Sequence, residues 1–442
     1  MKEPEIKIDG NNVTISLPKD SFEGMTKMEC FMNGCAETVK RLKPIVENGR
    51  LAKEQNSFPR WGYTYEALLS SLESFVSEYR LEEGPGKKNR IIFFGSGDFP
   101  LQTLKRLIDE KYDIVGIVTS HDKLMFDDNT SSHIKDIAFE HNIPFIIPKS
   151  MKDSYFLDWL DEHPAEIYCV ISYKYLPAEV ISRAGKMAFN VHASLLPYLR
   201  GAAPINWAIA NGFTETGLTA FELNEKIDNG DILMNCKCTI EEEDTYGSLF
   251  MKLAELCPEF TVNVIDGIIN DEFRHPVKQP TGAPVHSIDR IFYEAPKLND
   301  KITTFCGVNV SSQIIHDMVR SMNPGPGLTL CVEVLDDNHL TVKADEFDGR
   351  PEVVKRMKFK IYETELEYIE SDMPIPDYEA LKLYTDFKTK MYFYGTNRSN
   401  LAVVLKRVQI PGKKILPIEE FLRGLAYLNK PGYELRIVPP EE

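Results

Sequence analysis

Near the middle of the chain an amide, an imidazole and a carboxylate, the polar groups that acyl transfer requires, occur close together at Asn190, His192 and Asp228. Asn190 and His192 stand in Phe189-Asn190-Val191-His192-Ala193-Ser194-Leu195-Leu196-Pro197, and Asp228 stands in Ile227-Asp228-Asn229-Gly230. Between them lie Arg200-Gly201-Ala202-Ala203-Pro204 and Thr216-Gly217-Leu218-Thr219. If 187–191 is a strand, Asn190 and His192 are two apart and project from one face at its carboxyl end, where open α/β sheets bind ligands. Asp228 follows on a loop bounded by Gly217 and Gly230, close enough in a compact fold to reach the histidine. A carboxylate beside an imidazole favours the protonated ring, which donates to a developing oxyanion and exchanges protons near neutral pH. Alone, a histidine at a strand end is ordinarily just hydrogen-bonded, and an Asp-x-Gly ordinarily turns the chain. The cluster is what points to chemistry.

The elements that must position these groups are readable around them. Ile91-Ile92-Phe93-Phe94 is a continuous apolar run suited to a strand covered on both faces. Ile114–Thr119, Ile143–Ile147, Ile167–Ile171 and Met187–Phe189 continue the pattern with helices between, which predicts a doubly wound, Rossmann-like parallel sheet over residues 90–275. Gly95-Ser96-Gly97-Asp98-Phe99-Pro100 has Pro100 where a dinucleotide fingerprint needs its third glycine, and no acidic residue ends the second strand, so nicotinamide binding is not expected. Ahead of this unit, residues 1–83 predict a small α+β domain: a hairpin around Asp9-Gly10 and two amphipathic helices, one spanning Met25 to Val46 and one Leu68 to Tyr79. Beyond it, Pro276, Pro280, Gly282 and Pro284 mark a linker. Residues 286–430 then give a helix around Ile314–Val319, the loop Asn323-Pro324-Gly325-Pro326-Gly327, and strands at 328–334, 340–344, 356–366 and 401–408, the pattern of a small OB-like β-barrel.

A chain of 442 residues with 43% hydrophobic content can bury two or three cores. Its start, MKEPEIKIDG, has neither a basic nor an apolar leader segment, and no apolar stretch approaches a membrane span, so a cytoplasmic protein is expected. The eight cysteines are scattered, and Cys236-x-Cys238 has no second pair to complete a zinc site, so packing thiols and no metal are expected. A formal charge of −16 means that any nucleic-acid footprint must be local. Lys413-Lys414 and Arg423 are the positive groups placed to contact phosphates.

The motif Asn190-x-His192-x-Ser194-Leu195-Leu196-Pro197, followed by the loop Asp228, closely resembles the signature of the folate-dependent formyltransferases. Arg200–Trp207, Thr216–Thr219 and Asp228–Asp231 look like the methionyl-tRNA formyltransferase branch. The similarity extends over roughly 90–430, through Arg90–Gly95, Asn323–Gly327, Val408–Lys414 and Glu420–Gly424. The resemblance implies transfer of a formyl group from 10-formyltetrahydrofolate to a primary amine, through a tetrahedral intermediate. It implies that Asn190 and protonated His192 stabilise the oxyanion, that Asp228 keeps the imidazole charged and oriented, and that Thr219 supports this pair. It also implies that Tyr175 and Leu176 offer backbone groups to the pteridine, and that Ser194, Leu195, Leu196 and Pro197 wall the folate slot, with Leu196–Pro197 a candidate cis bond.

The acceptor expected first is the amino group of methionyl initiator tRNA; the alternative is a nucleotide-linked amino sugar. The stretch 119–130 has three Asp against one Lys and lacks the basic, Gly-rich insertion usual in the tRNA-directed branch. A 10-formyltetrahydrofolate hydrolase also carries about 85 residues ahead of this catalytic unit, but its leading domain should read βαββαβ, unlike the hairpin-helix-helix order here. An inactive binding homologue should have lost at least one of Asn190, His192 and Asp228, and all three are intact.

Overall fold

The computed structural model describes residues 5–9, 12–16, 89–120, 134–273, 275–280, 294–299, 303–305, 310–343, 346–369, 381–396 and 399–439. Strands β1 (Glu5–Asp9) and β2 (Asn12–Ser16) form the expected antiparallel hairpin, with Asp9 opposite Asn12. The two amphipathic helices expected after it lie outside the described residues.

The apolar run at Ile91 becomes β3 (Ile91–Gly95), buried at every position. Helix α1 (Leu101–Asp109), β4 (Ile114–Val118), α2 (Ile134–Glu140), β5 (Phe145–Ile146), α3 (Ser154–Glu162), β6 (Ile167–Ile171), α4 (Ala178–Ile181) and β7 (Met187–His192) follow in alternation. After β8 (Arg200–Gly201) and α5 (Pro204–Ala210) come β9 (Glu215–Glu222), β10 (Ile232–Thr239) and the long helix α6 (Tyr246–Ile269). The sheet order is β10-β9-β7-β6-β3-β4-β5; β7 through β5 are parallel, while β9 and β10 add antiparallel strands beyond β7. From β3 the chain runs outward to β5 and then returns to β6 on the other side of β3, so the topological switch lies between β3 and β6. Ser96 Oγ donates to Ser172 O there at 2.9 Å, joining the two carboxyl-end loops.

Two layers cover this sheet. Ile91, Phe93, Ile167, Cys169, Phe189 and Val191 pack into one buried cluster with α1 and α6, whereas Ile92, Phe94, Tyr168, Val170 and Ala188 pack into another with α3 and α4. The alternation of strand side chains between faces explains why the runs are apolar throughout rather than every second residue.

Beyond the Rossmann-like sheet, β11 (Glu294–Ala295) pairs in parallel with β8. Helix α7 (Ser312–Arg320) precedes β12 (Leu328–Lys343), β13 (Glu346–Tyr368), β14 (Lys382–Thr385), β15 (Met391–Tyr394), β16 (Leu401–Gln409), β17 (Leu416–Pro417), helix α8 (Ile418–Leu425) and β18 (Tyr433–Val438). The order β13-β12-β18-β14-β15-β16 closes through a β13–β16 pairing into a six-stranded antiparallel barrel. The segments expected at 328–334 and 340–344 are one bulged strand, β12. Strands β14, β15 and β18 complete the closure but were not expected from the sequence.

The domains are bonded directly. Arg320 Nη1 donates to Asp244 O at 2.7 Å, Asn206 Nδ2 to Ser321 O at 2.6 Å, and Gly247 N to Asn323 O at 3.0 Å. The Asn323–Gly327 loop thus meets the start of α6. Among the described residues, no helix is long and apolar enough to cross a membrane.

Candidate active site

Strand β7 sorts its side chains between two environments. Phe189 and Val191 enter the core against α1 and α6, while Ala188 faces the opposite layer. Asn190 and His192 share the face of Ala188, two and four residues further toward the carboxyl end. Asn190 is half-buried, and its amide makes no side-chain hydrogen bond among the described residues. An amide held by a strand yet unused by the protein is available to a ligand.

His192 is buried, and its Nε2 lies 2.8 Å from Leu199 O. A carbonyl only accepts, so Nε2 carries a hydrogen and the ring's other nitrogen, Nδ1, is the atom free to gain or lose a proton. Nδ1 faces Asp228 Oδ2 at 3.7 Å, beyond direct hydrogen-bond range. The resemblance implies that Asp228 orients the ring; the Leu199 carbonyl holds it as well, through Nε2. Asp228 has φ +47°, in the left-handed region that few non-glycine residues occupy. Its Oδ2 accepts from Gly201 N at 2.8 Å.

Two glycines make the approach of these loops possible. A Cβ on Gly230 would lie 1.6 Å from Glu222 O, and one on Gly201, whose φ is +119°, would lie 2.7 Å from Ala295 O. Each is backbone against backbone, which leaves no side-chain rotation to relieve it.

Thr219 stands opposite His192 in the β7–β9 register and is fully buried. Its hydroxyl donates to Ser194 O at 2.7 Å and accepts from Leu196 N at 3.1 Å, so it pins the Ser194–Pro197 loop rather than the Asp228 carboxylate. Ser194 Oγ donates to Tyr198 O at 2.6 Å, Leu196 packs with Phe221 and Ile232, and the Leu196–Pro197 bond is cis. Thr219→Val keeps the shape and strands a buried carbonyl and N–H, at a cost of about 1–3 kcal/mol. Thermal unfolding should show a clear drop in Tm for Thr219→Val and a small one for Thr219→Ser.

Tyr175 and Leu176 lie on the loop from β6 to α4, beside the carboxyl end of β7. Leu176 is buried, while Tyr175 is exposed and its hydroxyl donates to Glu225 O at 3.2 Å. That bond ties the β6 loop to the loop carrying Asp228. Nearby, burial pushes the Tyr173 phenol up, and it stays a neutral donor to Thr119 O at 3.1 Å. A cavity of about 460 Å³ is lined by Ser194, Leu195, Tyr198, Leu199 and Thr216, but by none of Asn190, His192 and Asp228. It lies against the Ser194–Leu199 loop.

Residues 89–265 match the family described as Formyl transferase. The methionyl-tRNA formyltransferase of Azobacteroides pseudotrichonymphae is 34% identical over 350 residues, 77% of this chain and 97% of that protein. The chain belongs to the methionyl-tRNA formyltransferase family. The family protein of Bacteroides thetaiotaomicron is 31% identical over 78% of this chain and 98% of its own length. A sugar 3N-formyl transferase solved with dTDP and 5-N-formyl-THF matches 74% of this chain and 100% of its own, at 15% identity and a TM-score of 0.49, a likeness too loose to bear on the acceptor. The match to methionyl-tRNA formyltransferases takes in the barrel as well as the Rossmann-like domain.

Two groups at this site of a methionyl-tRNA formyltransferase family member escaped the sequence reading. The Leu199 carbonyl is a backbone acceptor and has no signature in residue type. Gln279 donates from Nε2 to Asp228 O at 3.1 Å and sits in the stretch read as a linker. The signal available was a lone amide residue between Pro276 and Pro280, which also marks a turn.

Proposed function

We propose that this chain transfers the formyl group of 10-formyltetrahydrofolate to the amino group of methionyl initiator tRNA, and that Asn190, His192 and Asp228 carry the reaction. What supports the reading most is that the similarity to methionyl-tRNA formyltransferases runs through both domains at 34% identity, rather than through the catalytic domain alone. The residues fit a formyl donor: an unused strand-end amide, a histidine with one nitrogen available, and the Tyr175 and Asp228 loops bonded to each other beside them.

The donor supplies an activated formyl carbon on a nitrogen that can leave. Asn190 Nδ2 donates to the formyl oxygen as negative charge gathers there, a contribution of about 3–4 kcal/mol for one preorganised donor. His192, with Nε2 fixed on Leu199 O, presents protonated Nδ1 as the second donor. Asp228 faces that nitrogen, balances its charge, and through one intervening water takes the proton lost by the attacking amine and returns it to the leaving nitrogen. Tyr175 and Leu176 meet the pteridine with backbone groups, and Ser194, Leu195, Leu196 and Pro197 form a wall held in place by Thr219. Exposed Lys413, Lys414 and Arg423 on the barrel are the groups offered to tRNA phosphates.

The test offers purified protein 10-formyltetrahydrofolate with methionyl initiator tRNA and, separately, nucleotide-linked 3- and 4-amino sugars. Efficient formylation of the tRNA alone is expected. Formylation of a sugar with the tRNA inert would transfer the chain to the amino-sugar reading.

A further inference from the structure

We propose that Gln279 is a positioning residue for this reaction, holding the main chain at Asp228 so that its carboxylate faces His192; the proposal rests on the formyl-transfer reading above. Gln279 is 6% exposed, and its amide is fully used. Nε2 donates to Asp228 O at 3.1 Å and to Gly230 O at 2.8 Å, while Oε1 accepts from Arg200 Nε at 3.0 Å and Nη2 at 2.6 Å. A carboxamide has two N–H donors and two acceptor lone pairs, so every bond it can make goes to the two segments that shape the site.

These bonds close a ring. Arg200 is peptide-bonded to Gly201, and Gly201 N donates to Asp228 Oδ2 at 2.8 Å. Asp228 is therefore held by its carboxylate through Gly201 and by its main-chain carbonyl through Gln279, and those two supports are joined by the Arg200–Gln279 bonds. Asp228 adopts φ +47°, a left-handed turn that aspartate tolerates and that its neighbours must hold in one place. Gln279 supplies that constraint on the carbonyl side. The Arg200–Gly201 segment is in turn held by the parallel pairing with Glu294–Ala295, where Gly201 has no room for a Cβ. Val277 and Ile232 exchange both backbone hydrogen bonds, at 2.8 and 2.9 Å, which fixes where the residue two positions on enters the site. The stretch leaving the catalytic domain is thus part of the frame around the catalytic carboxylate.

Gln279 touches no reacting atom, so its loss acts through Asp228. A misplacement on the order of 1 Å in a catalytic group costs about 10²-fold in rate. Gln279→Ala removes all four bonds; Gln279→Glu keeps an acceptor for Arg200 and removes both donors to the Asp228 loop, so it remains informative if the alanine variant fails to fold. The experiment measures initial rates of formyl transfer to methionyl initiator tRNA for wild type and both variants, scaled to the folded fraction from thermal unfolding. The expected result is a kcat lowered about 10- to 100-fold with KM for donor and acceptor within about twofold of wild type. A Gln279→Glu kcat within about twofold of wild type, with the change confined to Tm, overturns the positioning role and leaves the formyl-transfer reading standing. A wild-type protein that transfers no formyl group overturns that reading and this role together.

Discussion

Asp228→Asn should leave the protein folded and lower kcat for formyl transfer by about 10²- to 10⁴-fold, the range expected when a group that manages proton transfer loses its charge. The substitution is isosteric. An asparagine oxygen can still accept from Gly201 N, now at 2.8 Å from Asp228 Oδ2, and asparagine tolerates the left-handed backbone that Asp228 adopts. What disappears is the carboxylate facing His192 Nδ1 across 3.7 Å, the group proposed to receive the amine's proton. Because Nε2 is fixed by Leu199 O, the ring does not turn to compensate. Steady-state kinetics beside thermal unfolding will separate the two properties. A variant with unaltered Tm and undiminished kcat would remove Asp228 from the mechanism.

Asn190→Ala is expected to lower kcat by about 10²- to 10³-fold, the usual loss for one oxyanion donor. Its effect on stability should be small, since the side chain is half-buried and has no hydrogen-bond partner among the described residues to leave unsatisfied. The KM for the folate donor should move little, because the donated bond strengthens as the oxygen becomes charged and contributes little to the ground state. A rise in KM at constant kcat would instead assign Asn190 to substrate binding. Both experiments read separate atoms of one site.

The part of the fold that holds these residues was legible because its strands are covered on both faces. Ile91–Phe94 had to be a central strand once every residue in the run was apolar, and β7 could be placed from Met187-Ala188-Phe189 next to the motif. Its period of two then put Asn190 and His192 on one face. The barrel was less legible. The stretch between the expected strands 328–334 and 340–344 belongs to β12, because Leu335 and Asp336 pair with both β13 and β18 before the register shifts ahead of Leu340. Strands β14 and β15 have four residues each, too few for a period to emerge, and their place is set by ring closure rather than local sequence. The candidate site divides along the same line. The residue types and order of Asn190, His192 and Asp228 were enough to expect the histidine and the aspartate near each other, as their 3.7 Å approach shows. The Leu199 carbonyl, the left-handed turn at Asp228 and the four bonds of Gln279 depend on where distant backbone lies, and residue type does not encode that.

The most direct test of the account supplies 10-formyltetrahydrofolate carrying an isotopically labelled formyl carbon to the purified protein with methionyl initiator tRNA in a single turnover, and follows label on the methionine amino group by mass spectrometry. The account predicts labelled N-formylmethionyl-tRNA from the wild type and, in the same interval, almost none from Asp228→Asn. Label that remains on the folate or appears as free formate with the wild type, or that reaches the amine equally fast with Asp228→Asn, would contradict it.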